Sequence, residues 1–120
     1  MDEEAALERL RGICMALPEV TERLSHGEPT WFVRGKKTFV NMDSHHHGAE
    51  YYSCWVAAPF GAQDVLIGAK PAVFFRPPYV GHRGWVGVRL DVPELDWDEV
   101  EMVVKDAYRL IAPVALAKQV

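Results

Sequence analysis

Residues 30–42 read TWFVRGKKTFVNM, and the fold is decided here. Two runs rich in β-branched and aromatic residues, Thr30–Arg34 and Lys37–Met42, flank Gly35-Lys36, a pair suited to a type II′ turn with glycine first. The pattern predicts a β-hairpin. A two-residue turn sets the register, so Arg34 is expected opposite Lys37, Phe32 opposite Phe39 and Trp31 opposite Val40. The Arg34/Lys37 pair opposes the turn by roughly a few tenths of a kcal/mol, unless the side chains splay into water or hold an anion between them.

Downstream, Asp43–Glu50 reads as a polar loop and Tyr51–Ala58 as a third strand, with Tyr52, Cys54, Val56 and Ala58 on one face. Pro59 opens a short helix that runs to about Ile67, with Gly68 placed as its left-handed terminator. Val73–Arg76 and Trp85–Leu90 are two more strands, the latter with Val86, Val88 and Leu90 on one side and Trp85, Gly87 and Arg89 on the other. Asp96 and Glu99 have capping-box spacing ahead of Val100, Val103, Val104, Ala107, Leu110 and Ile111, a helix that must end before Pro113 and leave a short tail.

Upstream, Ala6, Leu7, Leu10, Ile13, Cys14 and Leu17 recur at helical spacing behind the acidic Glu3 and Glu4, which favour the positive end of a helix dipole. Pro18 stops that helix, and Pro18–Pro29 reads as an irregular link. The order is α-β-β-β-α-β-β-α, one domain spanning residues 1–120. It predicts an α+β fold, a mostly antiparallel sheet of about five strands with helices packed on one face.

A chain of 120 residues buries roughly two thirds of its unfolded surface in one core. No apolar run approaches a membrane span, and the acidic start MDEEAALERL is unlike a secretory signal, so a cytoplasmic protein without a membrane partner is expected. Cys14 and Cys54 lack neighbours that would make a redox or zinc motif and read as reduced, buried thiols. The net charge of −4 is unevenly spread: residues 29–90 hold seven bases against three acids, net +4, and the flanks six bases against fourteen acids, net −8. A basic centre faces anions, whereas acidic helices are commonly just solvated.

Three stretches carry a resemblance over nearly the whole chain: Leu17-Pro18-Glu19-Val20-Thr21; His26-Gly27-Glu28-Pro29-Thr30-Trp31 running into Val33-Arg34-Gly35-Lys36-Lys37; and PPYVGHRGWVGV from Pro77 to Val88. With the Trp97-Asp98-Glu99 helix, they resemble the small bacterial proteins of the MmcQ/YjbR family. The resemblance implies a compact α+β fold similar to type III secretion chaperones, a double-wing arrangement, with DNA binding as a suggested role. It brings no catalytic residues and no cofactor.

The residues themselves offer one constellation, Arg76, Tyr79, His82, Arg83 and Trp85. Paired guanidinium groups hold phosphate or carboxylate oxygens, rings offer stacking surfaces, and Gly81 and Gly84 free the backbone to curve around an anion. The structural alternative is a turn built by Pro77-Pro78 and the glycines, with Tyr79 and Trp85 closing the core. Arg34, Lys36 and Lys37 would extend the site into a basic stripe if the hairpin tip lies beside it. The first functional expectation is therefore a non-catalytic domain binding DNA or another phosphate-bearing polymer. The alternative is a small-molecule or acidic-peptide module, taking a phosphate or carboxylate ligand with the PPYVGHRGW loop and the sheet face.

Other groups weigh less. His45-His46-His47 does not place three imidazoles around one ion, and no metal is expected. His26 and Glu28 have the chemistry of an acid–base pair, but no nucleophile, phosphate loop or metal set completes it. Trp55, Phe60, Phe74, Phe75 and Trp97 are read as core or helix anchors. A monomer is the favoured state.

Overall fold

A computed structural model describes residues 1–45 and 51–120. It contains helices α1 (Glu3–Met15), α2 (Ala62–Ala69), α3 (Trp97–Ile111) and α4 (Val114–Ala117). Six strands, β1 (Val20–Ser25), β2 (Glu28–Val33), β3 (Lys37–Ser44), β4 (Tyr52–Val56), β5 (Phe74–Phe75) and β6 (Val86–Arg89), form one sheet in the order β1-β2-β3-β4-β6-β5. Every pairing is antiparallel. The α+β class holds, with six strands rather than five.

The added strand is β1, which occupies the expected irregular link. It pairs with β2 through a tight turn in which His26 (φ 53°) and Gly27 (φ 78°) both adopt positive φ. The pattern that hid it is polar: VTERLS buries only Val20 fully. It lies at the sheet edge, where hydrophobic alternation is not required.

The β2–β3 hairpin forms with Trp31 opposite Val40 as expected, but Phe32 faces Thr38 and Val33 faces Lys37. The register shifts between Trp31 and Phe32, so that Phe39 is the extra residue of a β-bulge. Arg34 (φ 55°) and Gly35 (φ 67°) form the turn in place of Gly35-Lys36. Arg34 is therefore not opposite Lys37; its guanidinium meets the Glu19 carboxylate at 3.0 Å, which removes the like-charge pair.

Both long helices start where acidic caps put them. Asp2 accepts from Ala5 N at 2.7 Å, and Asp96 accepts from Asp98 N and Glu99 N at 3.0 and 3.2 Å. α2 departs from expectation: it starts after Gly61 (φ 95°) rather than at Pro59, and it passes through Gly68 to Ala69. In α3 the buried face is Val100, Val103, Val104, Ala107 and Tyr108, while Leu110 is left half exposed.

Register defines the two faces of the sheet. Trp31, Val40, Val56 and Val86 stand in one cross-strand row, all buried. Helices cover this side: Trp31 Nε1 donates to Glu22, which also holds Arg11 of α1, and the Phe39 ring meets Tyr108 of α3 edge-on at 5.6 Å. The next row, Thr30, Asn41, Trp55, Gly87 and Phe75, points the opposite way because successive strand residues alternate. Helices on one face thus leave the other for the site.

Candidate binding groove on the open sheet face

Residues 76–85 fold back over this second row. Pro77 is buried, a single 3-10 turn spans Gly81–Arg83, and Gly84 (φ 90°) closes it with its N–H on Gly81 O at 3.0 Å. A Cβ at Gly81 would come within 2.7 Å of Arg76 Cγ, so the absent side chain lets the Arg76 stem lie along the loop. From α2, the buried Gln63 donates to Gly81 O at 2.9 Å and to Trp85 O at 2.7 Å. The loop is thereby fixed at both ends of its turn.

Between this loop and the β1–β2 turn lies a groove of about 430 Å³. Its floor is Thr30, Asn41 and Trp55 of the sheet, joined by Trp85. One wall is Ser25, His26 and Glu28; the other is Tyr79, Val80 and Arg83. Beyond Trp55 in the same row, Phe75 lies across Gly87, at whose position a Cβ would be 2.4 Å from the Phe75 ring.

The polar groups of the groove have defined bonds. Thr30 Oγ1 donates to Glu28 O at 3.1 Å, and Thr38, another lining residue, donates to Trp31 O at 3.2 Å. Glu28 is 5 % exposed, and its carboxylate accepts from the backbone N–H and the hydroxyl of Ser44. Asn41 donates one amide hydrogen to Met42 O at 3.2 Å. The Arg83 guanidinium stands 5.6 Å over the Trp85 ring and is otherwise exposed. The surroundings are amphipathic, with two indoles below and one cation at the rim.

Of the eight residues singled out in the sequence, Tyr79, Arg83 and Trp85 line the groove. Arg76 and His82 are exposed elsewhere on the same loop, while Lys36 and Lys37 are exposed at the β2–β3 hairpin and outside the lining, as is the ion-paired Arg34. His26 and Glu28, weighed as an acid–base pair, share a wall. Trp55, assigned to the core, is buried yet forms the floor, and Phe60, read as an anchor, is 84 % exposed.

Thr30, Asn41 and Thr38 were not singled out. The signal for two of them was present: the expected register already sets Thr30 opposite Asn41, and an asparagine inside a strand is a depleted choice that asks for a reason.

Other sites are less furnished. A hollow of about 660 Å³ between α1, α3 and the last residues is larger, but it is lined by the backs of helices with Glu8, Arg9, Glu101 and Lys105 at its rim, charges of both signs that neutralise one another, and it contains none of the aromatic groups. Among the described residues no group of His, Cys, Asp or Glu is arranged to hold a metal, and His46 and His47 lie outside the described residues. No helix there is long and apolar enough to cross a membrane. Both cysteines are buried and free; burial pushes the Cys14 thiol well up and the Cys54 thiol up to about 12.

The model of one protein family, YjbR, matches residues 15–110, which includes the groove's floor and both walls. Among solved structures, the Deinococcus radiodurans protein DR2400, with a DUF419 domain, superposes with a TM-score of 0.72 at 17 % identity, covering 94 % of this chain and 86 % of that one. The likeness is one of fold. No curated protein matches.

Proposed function

The chain belongs to the YjbR family, and from that premise we propose that it is a non-catalytic binding domain whose groove takes one small anionic ligand. The observation that carries the reading is the convergence of Trp55, Trp85, Asn41 and Arg83 on a single 430 Å³ space. Sites for single small molecules have that size and that mixture, mostly apolar with a few placed polar groups.

The polymer reading, DNA above all, asks for a continuous basic track. Arg34 is ion-paired with Glu19, and Arg23 is drawn over the Phe32 ring at 3.6 Å with a bond to Gly35 O. These engagements leave Arg83 as the groove's own guanidinium, which suits one phosphate or carboxylate better than a strand of them.

Thermal denaturation with sugar phosphates, nucleotides, dicarboxylates and oligonucleotides of increasing length separates the readings. A small anion that binds one to one at a hundredfold excess over Kd stabilises by about 2.7 kcal/mol, on the order of 10 °C in Tm for a chain of this size. Stabilisation that grows with oligonucleotide length and collapses with salt would overturn the proposal in favour of a polymer.

A further inference from the structure

On the reading just proposed, we infer that the ligand is a nucleoside monophosphate, with Asn41 reading the edge of the base, Trp55 and Trp85 supplying its apolar contact and Arg83 holding the phosphate. Asn41 stands in the middle of the floor, directly between Thr30 and Trp55 in the cross-strand row. One hydrogen of its amide goes to Met42 O. The second N–H and Oδ1 remain as an adjacent donor and acceptor on a surface that lines the groove. That pair matches the donor–acceptor edge of a nucleobase, as asparagine does with adenine.

The neighbours sharpen this selectivity. The hydroxyl hydrogens of Thr30 and Thr38 are directed to Glu28 O and Trp31 O, so the amide is the floor's principal reader. Flanking indoles favour a flat ring over a flexible chain. Arg83 and the Glu28 carboxylate lie on opposite walls, so an anion is attracted to one side and repelled from the other. A ligand with one anionic end and one neutral planar end fits that polarity. A sugar phosphate satisfies Arg83 but brings no flat apolar ring to the indoles, and a dicarboxylate presents its second charge to Glu28.

Isothermal titration with adenosine 5′-monophosphate, guanosine 5′-monophosphate, adenosine, ribose 5-phosphate and inorganic phosphate tests the inference. A nucleotide should bind at least about tenfold more tightly than ribose 5-phosphate, and Asn41→Leu should remove about that factor while leaving ribose 5-phosphate unchanged. Asn41→Asp, which keeps the size and exchanges a donor for an acceptor, is the second variant should the first fail to fold; it should also alter the preference between the two bases. Arg83→Ala should weaken the nucleotides and spare adenosine. Ribose 5-phosphate binding as tightly as the nucleotides would overturn the base-reading role while the anion groove stands. Silence from all five, with a response to a dicarboxylate, would overturn the ligand class alone; silence from every small anion would remove the groove reading as well.

Discussion

The side-chain amide of Gln63 donates to the carbonyl oxygen of Trp85 at 2.7 Å, reaching from α2 to the residue that leads into β6. The same nitrogen also donates to Gly81 O at 2.9 Å, so one buried group spans the 3-10 turn that carries Arg83. Replacing it with Leu leaves two carbonyls without this donor. Gln63→Leu should therefore cost about 1–2 kcal/mol, as losing hydrogen bonds to buried carbonyls does, while Gly81 O keeps the N–H of Gly84. Urea denaturation checks the stability, and the same variant should lower affinity for the groove's ligand because the Arg83 wall loses its anchor. Unchanged affinity at reduced stability would make Gln63 a core group without influence on the site.

Glu22 is the second polar hub. It accepts from Arg11 Nε at 2.8 Å and from Trp31 Nε1 at 2.9 Å, tying α1 to the first two strands. The Arg11 hydrogen bond chiefly holds the Glu22 carboxyl below its usual 4.5, against the opposing effect of partial burial. A carboxyl depressed in the folded state stabilises fully above its unfolded value and loses that contribution as pH falls through the folded one. Glu22→Gln should accordingly destabilise by about 1–3 kcal/mol at pH 7, with the gap to wild type closing below pH 4.5. Chemical denaturation at several pH values measures it; a gap that stays constant as pH falls would assign the loss to packing.

Gly87 faces Phe75 across the β5–β6 pair, and the ring occupies the space where a side chain would begin. Gly87→Ala places a methyl within 2.4 to 2.6 Å of three ring carbons, which should cost about 1–3 kcal/mol as overpacking. Adding Phe75→Leu should recover part of that loss, a favourable coupling readable in a double-mutant cycle. Additive losses would show that the strand, not the ring, resists the methyl.

How far the sequence foretold these contacts depended on the range of the interaction. α1 and α3 were legible because their caps and apolar faces are local, and β3, β4 and β6 because they are central and apolar. β1 was not, since an edge strand with charged Glu22 and Arg23 shows no clean alternation and only its pairing with β2 stabilises it. The bulge at Phe39 was equally hidden: it offsets the turn's move to Arg34-Gly35, so that Trp31 still faces Val40, and the extra residue packs on Tyr108, 69 residues later. In the site, Tyr79, Arg83 and Trp85 announced themselves by being crowded on one loop. Asn41 carried only the faint signal of a polar residue inside a strand, and Trp55 read as core, because the loop that makes a groove over their row is a long-range contact.

Cys14 and Cys54 are both fully buried, and desolvation disfavours their thiolates. The thiolate is the reactive form, so native protein at pH 8 should consume almost no Ellman's reagent within minutes, and both thiols should titrate in denaturant. Rapid labelling of either one without denaturant would mean that the core beneath α1 and β4 opens far more often than its burial implies.

The cations distinguish the two binding readings. If a small anion occupies the groove, Arg83→Ala removes the guanidinium at its rim and should lower affinity about tenfold or more, as losing a charge-assisted hydrogen bond does. Lys36→Ala with Lys37→Ala should leave that affinity unchanged, because both residues lie at the β2–β3 hairpin outside the lining. If a polynucleotide were the ligand, each removed cation would weaken binding and flatten its dependence on salt by a similar step, whichever end of the surface it came from. Fluorescence titrations of the two variants at about 50 and 200 mM salt therefore give opposite patterns. A loss confined to Arg83→Ala places the ligand between Trp85 and Asn41; an equal loss in both variants places it along the sheet, across Arg83 and the hairpin tip together.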